Sequence, residues 1–308
     1  MDDTSPANAE QAALWNGHAG SAWVRTQAVL DAMFQPLEAR LSDAVRAVGA
    51  NRVLDVGCGT GRTTLAVARQ LSATGQCLGV DISAPMIEAA KARAAREVLP
   101  SARFVCADVQ GHAFEPAAFD TVISRLGVMF FDDPVRAFAN LRHAATEGAA
   151  LRCIAWRGGA DNPFMTTAER AAAPLLPGLP PRLPNAPGQF AFADRARVAG
   201  ILEASGWGEV DIQPFEVECA FPATALADYF TRLGPVGLVL QEVDAATRAQ
   251  VVETLHAAFA PYVQGDDVRF VAACWMIAAR APVRGAWPCL KLLNAHCARC
   301  GSAPARPW

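Results

Sequence analysis

The chain has 308 residues, of which 52% are hydrophobic, and carries a formal net charge of −3. This length allows one large domain or two small ones, and the hydrophobic content is ample for a core. The mildly negative charge supplies no field that would attract nucleic acid, and no run reaches the roughly 20 apolar residues that a membrane-spanning helix needs. Nine cysteines are scattered singly, as is typical of a reduced protein. We therefore expect a cytoplasmic protein without a nucleic-acid partner.

Residues 1–50 are predicted to form a helical N-terminal lid. Trp15 and Trp23 lie eight positions apart, close to one face of a helix, and the helical spacing continues through Leu30. The two tryptophans either anchor this segment on the core or line a ligand beneath it. His18 lies between two glycines and is a candidate general base, although a histidine in such a place is commonly just exposed.

The stretch from Val53 to Thr64 carries the clearest pattern in the chain. An apolar run ends in Asp55, glycines follow at positions 57, 59 and 61, and residues 63–71 are apolar at helical spacing. This pattern predicts a strand, a glycine turn and the start of a helix. Glycines allow a sharp turn and let a ligand lie against bare main chain, and the first turn of the helix presents N–H groups without partners.

The glycine spacing distinguishes between two kinds of cofactor site. A dinucleotide site needs Gly-x-Gly-x-x-Gly, and its third glycine would fall on Arg62. The observed Asp-x-Gly-x-Gly-x-Gly resembles motif I of the class I methyltransferases that use S-adenosylmethionine (SAM). The resemblance implies SAM as the cofactor and S-adenosylhomocysteine as its product. The cofactor-binding residues it implies in this stretch are Asp55, Gly57, Cys58, Gly59, Thr60 and Gly61.

The next two predicted strands cover residues 76–83 and 102–106. Asp81 lies near the end of the first, and Asp108 follows the second. Asp81 lies twenty residues after the last glycine of motif I, where a carboxylate can accept from both hydroxyls of a ribose; it could instead cap a turn. Ile82 and Met86 are candidates to contact the adenine. The resemblance implies that Asp108 accepts from the adenine amine and that Val109 offers its backbone N–H.

A fourth predicted strand, residues 119–124, leads into Ser-Arg-Leu-Gly. Methyltransferases that act on adenine or glutamine nitrogens tend to carry an Asn/Asp-Pro-Pro-aromatic turn here, so its absence disfavours methylation of nucleic acid. We expect Ser124 and Arg125 to line the methionine end of the SAM site. Arg125 either pairs with a carboxylate, that of SAM included, or is a surface residue. Phe130 and Phe131 are interpreted as core residues.

After a fifth strand at 151–156, the sequence predicts two insertions. Residues 157–192 are rich in proline and therefore mostly irregular, whereas residues 222–263 are mostly helical. We expect both insertions to form a roof over the substrate. For residues 157–192, the alternative is a linker. A sixth strand at 209–217 and a last strand at 268–279 complete the pattern.

These elements predict an α/β fold with a doubly wound, seven-stranded, mostly parallel Rossmann-like sheet whose last strand is antiparallel. The SAM-binding domain would cover residues 51–281. Residues 282–308 match nothing in the family and contain Cys289, His296, Cys297 and Cys300. A single Cys-x-x-Cys lacks the second paired arm of a zinc site, so we expect a disordered extension and no metal.

The segment after the fourth strand, together with Trp-Asn-Gly near the N-terminus, resembles a bacterial small-molecule subgroup related to the ubiquinone and menaquinone biosynthesis methyltransferases. The chemistry of SAM predicts in-line transfer of its methyl group. Because the two insertions would roof a closed cavity, we expect the acceptor to be an O or C atom of a small, partly apolar metabolite. No catalytic residue is assigned beyond the candidate His18. The alternatives are a SAM-binding protein without activity and an NAD(P)-dependent oxidoreductase, which Asp55 and Arg62 disfavour.

Overall fold

The computed structural model describes residues 8–183 and 185–283, so the cysteine-containing segment of the expected C-terminal extension lies outside the described residues. The helices are α1 (Ala9–Asn16), α2 (His18–Arg25), α3 (Gln27–Met33), α4 (Gln35–Ala47), α5 (Arg62–Gln70), α6 (Ala84–Arg96), α7 (Pro134–Ala144), α8 (Pro163–Ala172), α9 (Arg195–Ala204), α10 (Leu226–Arg232), α11 (Gly234–Val239) and α12 (Ala245–Phe259). The strands are β1 (Arg52–Val56), β2 (Gln76–Asp81), β3 (Ala102–Cys106), β4 (Phe119–Arg125), β5 (Ala145–Trp156), β6 (Gly208–Pro222), β7 (Val263–Gln264) and β8 (Asp267–Arg280).

The strands form one sheet in the order β3-β2-β1-β4-β5-β8-β6. β1 pairs in parallel with both β2 and β4, whereas β8 runs antiparallel to its neighbours β5 and β6. The predicted sheet of mostly parallel strands with an antiparallel last strand is therefore confirmed. The two-residue strand β7, which pairs with β8, was not predicted. Strand order reverses between β1 and β4, and in such sheets ligands bind beyond the carboxyl ends of the strands at this point.

The start of β1 is held by a side chain from β4. The Asp120 carboxylate accepts hydrogen bonds from the backbone N–H groups of Asn51 and Arg52, at 3.2 and 2.9 Å. From Val53 to Val56 the strand is buried on both faces, as is usual for a parallel strand covered by helices. Asp120, the second residue of β4, thus has a structural role and lies far from the carboxyl end of the sheet, where a ligand would bind.

Two element boundaries differ from the prediction for local reasons. β5 begins at Ala145, six residues before the predicted start at 151, and Gly148 keeps a φ of +72° within the strand. β6 continues to Pro222 because residues 218–222 go on pairing with the long strand β8. Sequence patterns specify a strand's interior more clearly than the point at which pairing stops.

The two insertions bury an aromatic cluster of their own. The Phe164 ring of α8 stacks on Phe270 of β8, with ring centres 4.0 Å apart, and packs edge-on against Phe259 of α12 at 5.2 Å. Phe230 of α10 stacks on Phe259 in turn. This aromatic cluster therefore forms a second part of the core, which holds residues 157–192 and 222–263 together against β8. Across the ranges that the structure describes, no helix is long and apolar enough to cross a membrane.

Candidate functional site

A crevice lies beyond the carboxyl ends of β1, β2 and β4, under the N-terminal helices. It contains about 990 Å³ of space free of protein atoms, part of it open to solvent. Most of the cofactor-binding residues expected from the sequence line it. They are Gly57, Cys58, Gly59, Thr60, Asp81, Ile82, Met86, Asp108, Val109 and Arg125.

The glycine loop after β1 forms one wall of the crevice. Gly57 and Gly59 have φ of +66° and +55°, in the left-handed region that favours glycine. A Cβ at Gly57 would lie 2.7 Å from the Gly127 Cα, so this glycine allows the turns after β1 and β4 to approach closely. A Cβ at Gly59 would meet only the Met86 sulfur, at 3.6 Å. Gly59 therefore leaves main chain bare toward the crevice, as a cofactor lying on the loop requires.

Asp81 joins the end of β2 to this loop. Its Oδ2 accepts from the Gly59 backbone N–H at 2.8 Å and its Oδ1 from the Ser83 N–H at 2.9 Å. Burial raises the pKa of this carboxyl, and the two backbone hydrogen bonds oppose that rise. A carboxylate oxygen accepts more than one hydrogen bond. Each oxygen therefore keeps the capacity to accept from a ligand hydroxyl in the crevice.

Three of the expected cofactor residues support the loop from behind and do not line the crevice. Asp55 is 1% exposed; its Oδ2 accepts from the Thr64 hydroxyl, and its Oδ1 has no partner among the described residues. Burial raises the pKa of Asp55 to about 7. The Ser124 hydroxyl donates to the Val56 carbonyl at 2.7 Å. Gly61 begins α5, where a Cβ would lie 2.9 Å from Phe104.

Arg125 places a half-buried cation in the crevice. Among the described residues, its only hydrogen bond runs from Nε to the Thr63 hydroxyl, at 2.9 Å, so both terminal nitrogens remain for a ligand. The guanidinium lies 5.6 Å from the Phe34 ring centre. Burial lowers its pKa, while Asp55 and Asp31 favour the charged form. Arg125 is thus half-buried at the wall of the crevice and is not a surface residue.

The third strand ends in a turn that is braced from α7. The Asp108 carboxylate accepts from the Gln110 N–H at 2.9 Å. The Asn140 amide donates to the Val109 carbonyl at 2.7 Å and to the His112 carbonyl at 2.8 Å. Asn140 lies about thirty positions after Val109 in the chain. No pattern in the sequence indicated that it would support this turn.

The opposite wall of the crevice is aromatic and comes largely from the N-terminal helices. The Trp15 ring packs edge-on against Trp23 and Phe130, with ring centres 5.9 and 5.1 Å apart. Phe130 and Phe131 both line the crevice, which corrects their interpretation as core residues. The tryptophans line the ligand space and are not simply anchors. The other lining residues that sequence reasoning did not assign are Asn8, Gln11, Leu30, Asp31, Phe34, Val80, Ala107, Leu126 and Gly127.

Hydrogen bonds tie α1 directly to the turn after β2. The Asn16 amide nitrogen donates to the Ile82 carbonyl at 3.0 Å, and its oxygen accepts from the Ala84 N–H at 2.8 Å. The Ser83 hydroxyl donates to the Trp15 carbonyl at 2.6 Å. The first helix is therefore fastened to the residues that flank Asp81, as a lid over this end of the crevice would be.

Two expectations about the site need correction. His18 is exposed at the start of α2 and does not line the crevice, whereas Trp23 of the same helix does. The crevice is lined by residues between 8 and 131, so the insertions at 157–192 and 222–263 contribute no described residue to its roof. The α1–α3 segment occupies that position instead. Nowhere in residues 8–183 and 185–283 do three or more His, Cys, Asp or Glu side chains form a group suited to a metal ion.

Comparison with known proteins shows the family. A family profile described as "Methyltransferase domain" matches residues 53–148. The nocamycin O-methyltransferase of Saccharothrix syringae is 30% identical over 258 residues, which cover 77% of this chain and 90% of that protein. The aklanonic acid methyltransferase DauC of Streptomyces sp. (strain C5) is 31% identical over 118 residues, 38% of this chain; the match spans only about half of DauC, 54%.

The fold is also similar to that of a solved structure. A putative methyltransferase of known structure from Bacillus halodurans superposes with a TM-score of 0.52 and 15% identity, covering 80% of this chain and 99% of that one. The chain belongs to the class I SAM-dependent methyltransferases. Its cofactor is therefore SAM, and Arg62, which stands where a dinucleotide site needs glycine, instead pairs with Glu38 at 2.7 Å.

Proposed function

We propose that this enzyme transfers the methyl group of SAM to an oxygen or carbon atom of a small, partly apolar metabolite held under α1–α3. The observation that carries this proposal is the pairing of two unlike walls in one crevice. Bare glycine main chain and strand-end carboxylates form one wall, and the rings of Trp15, Trp23 and Phe130 form the other. The names of the relatives, which act on aklanonic acid and make an O-methyl product, agree with such an acceptor.

The residues present fit SAM at each of its parts. Asp81 would accept from the ribose hydroxyls, with Ile82 and Met86 beside the adenine. Asp108 would accept from the adenine amine and Val109 donate its backbone N–H. Arg125, with two free terminal nitrogens, would pair with the methionine carboxylate. When bound, SAM supplies a methyl carbon made electrophilic by the adjoining sulfonium.

The chain's own contribution is to orient the acceptor and exclude water, since both effects lower the barrier of a displacement. The aromatic wall would hold a flat, apolar body against the cofactor side of the crevice, and the tethered α1 would close the space to solvent. No histidine among the described residues lines the crevice. We therefore expect an acceptor with an acidic O–H or C–H, which needs no strong base.

We further propose a division into an N-terminal segment over residues 1–50 and a methyltransferase domain over 51–281. Within the first segment, α1–α3 would act as the lid, joined to the core through the fully buried Met33 at the end of α3, whereas α4 belongs to the core through Leu37 and Leu41. A cytoplasmic location and the absence of a nucleic-acid partner are supported by the net charge of −3 and the scattered cysteines.

The test is a methyl-transfer screen with label on the SAM methyl group. Purified protein is incubated with labelled SAM and three fractions of a cell extract: small molecules, protein and nucleic acid. We expect label in the small-molecule fraction, on a product whose mass has risen by one CH2 unit, because the methyl group replaces a hydrogen atom. Label confined to protein or nucleic acid would contradict the proposal. The Asp81→Asn variant in the same assay controls for transfer by contaminating enzymes.

A further inference from the structure

We propose that Asp31 and Arg93 form a latch that couples closure of the N-terminal helices to the shape of the glycine loop. Both are positioning residues, and the latch would set how slowly SAM and S-adenosylhomocysteine leave the site. This inference rests on the proposed binding of SAM in the crevice. It concerns the exchange of the cofactor rather than the identity of the acceptor.

One guanidinium group connects three parts of the molecule. Arg93 of α6 donates from Nη2 to the Oδ2 of Asp31, on α3, at 2.8 Å. Its other terminal nitrogen, Nη1, donates to the Thr60 carbonyl in the glycine loop at 3.2 Å. Asp31 and Thr60 both line the crevice. The lid helix and the loop on which the cofactor would lie are therefore held by the same side chain.

The pair is largely removed from solvent. The Arg93 and Asp31 side chains are 8% and 16% exposed, in contrast to the surface pair Arg46–Asp43, at 65% and 70%. Breaking a buried ion pair by removing one partner leaves an uncompensated charge and is strongly destabilising, whereas exposed pairs contribute little. Opening α3 would leave Arg93 without its carboxylate partner. The closed position of the lid is favoured for that reason.

The lid must open for the cofactor to exchange, because residues of α1–α3 form one wall of the crevice. The tethers from Asn16 and Trp15 hold only the turn after β2. The Asp31–Arg93 pair reaches the glycine loop itself. Movement of α3 therefore changes the support of the Thr60 carbonyl, so that lid position and loop geometry change together.

Two variants separate the parts of the latch. Asp31→Asn removes the charge that holds α3. Arg93→Lys keeps a cation for Asp31 but replaces a forked group by a single nitrogen, which cannot reach both partners as two guanidinium nitrogens do. Asp43→Asn is the matched control, since it removes the carboxylate of an exposed ion pair on the neighbouring helix α4.

The experiment measures dissociation of S-adenosylhomocysteine by stopped-flow tryptophan fluorescence, with Trp15 and Trp23 as reporters at the crevice. We expect Asp31→Asn to raise the dissociation rate about tenfold or more, Arg93→Lys to raise it several-fold, and Asp43→Asn to leave it within about twofold, because removing one partner of a buried ion pair is costly and removing one partner of an exposed pair is not. The association rate should change less. The double variant should dissociate no faster than the more severe single variant.

Equal dissociation rates in the wild type, Asp31→Asn and Arg93→Lys would overturn the latch while leaving the proposed function intact. Failure of the wild type to bind S-adenosylhomocysteine would overturn the proposed function instead. Should a variant not fold, hydrogen exchange on the wild-type protein gives the same decision. In the protein without ligand, the amides of residues 27–33 and 57–61 should share one opening free energy, and clearly different opening free energies in the two segments would contradict the coupling.

Discussion

The Asp81 carboxylate accepts a hydrogen bond from the Gly59 backbone N–H at 2.8 Å, which joins the end of β2 to the loop that follows β1. The two strands are parallel neighbours, so their carboxyl ends meet at one edge of the sheet. Asp81 therefore shapes the glycine loop and faces the ligand space with the same side chain. Loss of its charge should affect binding more than it affects folding.

Asp81→Asn is expected to weaken SAM binding by about tenfold to a hundredfold, because hydrogen bonds to a charged group contribute roughly 1.5–3 kcal/mol. The amide has the size of the carboxylate but presents one acceptor atom where the carboxylate presents two. Isothermal titration calorimetry with SAM measures the loss, and circular dichroism checks the fold. Unchanged affinity would contradict the ribose assignment.

Gly59→Ala and Gly57→Ala should separate binding from stability. Both would force a non-glycine residue to a positive φ, at a cost of about 1 kcal/mol. Only the Gly57 variant also places a Cβ 2.7 Å from the backbone of the turn after β4. We expect Gly57→Ala to lower the melting temperature markedly, and Gly59→Ala to lower it slightly but to reduce SAM affinity strongly.

Gly49→Ala is the control for this pair. Gly49 has a φ of +67°, a Cβ there would meet no atom within 4 Å, and the residue lies at the end of α4, away from the crevice. It should show the strain of the left-handed backbone alone, with SAM affinity unchanged. Equal SAM affinities in the Gly49 and Gly59 variants would argue against a cofactor lying on the loop.

Asp55→Asn should remove a pH dependence of stability. The pKa of Asp55 is about 7 in the folded protein, against an ordinary value of 3.8, because burial disfavours the charged form. The folded state keeps this proton to higher pH than the unfolded state. The stabilisation is therefore complete below about pH 4 and is lost as the pH rises through 7.

Chemical denaturation of both proteins at several pH values between 4 and 8 measures this effect. The free energy of unfolding of Asp55→Asn relative to wild type should rise by a few kcal/mol over that range, since each pKa unit corresponds to about 1.4 kcal/mol. Asp43→Asn, on the exposed face of α4, is the control and should show no such trend. Parallel pH profiles for wild type and Asp55→Asn would contradict a carboxyl that is protonated in the folded state.

Arg125→Gln tests the methionine end of the site. The variant should bind S-adenosylhomocysteine at least about tenfold more weakly, because an Arg–carboxylate pair is a charge-assisted, bidentate contact. Binding of 5′-methylthioadenosine, which has the nucleoside but no amino-acid group, should change little. A similar loss for both ligands would instead point to a general disturbance of the crevice.

Several parts of the site could be predicted because their signals are local. The glycines at 57, 59 and 61 have positive φ, and this need is visible in the residue type alone. Asp81 and Asp108 follow predicted strands, and parallel strands in a doubly wound sheet bring such residues to one edge. The same reasoning placed Asp55 in the crevice, where it does not lie. A strand pattern shows that successive side chains alternate between the two faces of the sheet, but it does not show which of them the glycine loop will cover.

A helical N-terminal lid was predicted, but the contacts that fasten these helices could not be read from the sequence. Trp15 meets Phe130 across more than a hundred positions of chain, and Asp31 meets Arg93 across sixty-two. Such contacts depend on the angles at which helices pack, and nothing in the residues around either partner encodes those angles. The insertions show the same limit. The proline content of residues 157–192 correctly indicated irregular chain, but Phe164 joins the two insertions in an aromatic cluster, and none of their described residues lines the crevice.

The amino-acid sequence alone determined the family, the cofactor and the polarity of the sheet, because glycine spacing, strand-end acids and helical periodicity are each encoded within a few consecutive residues. Only the tertiary structure decided which side chains enclose the ligand: that α1–α3 form the second wall, that Arg125 is half-buried with two terminal nitrogens free, and that Arg93 supports the glycine loop. These outcomes depend on packing between segments far apart in the chain, where the burial of apolar surface and the pairing of buried charges select one arrangement.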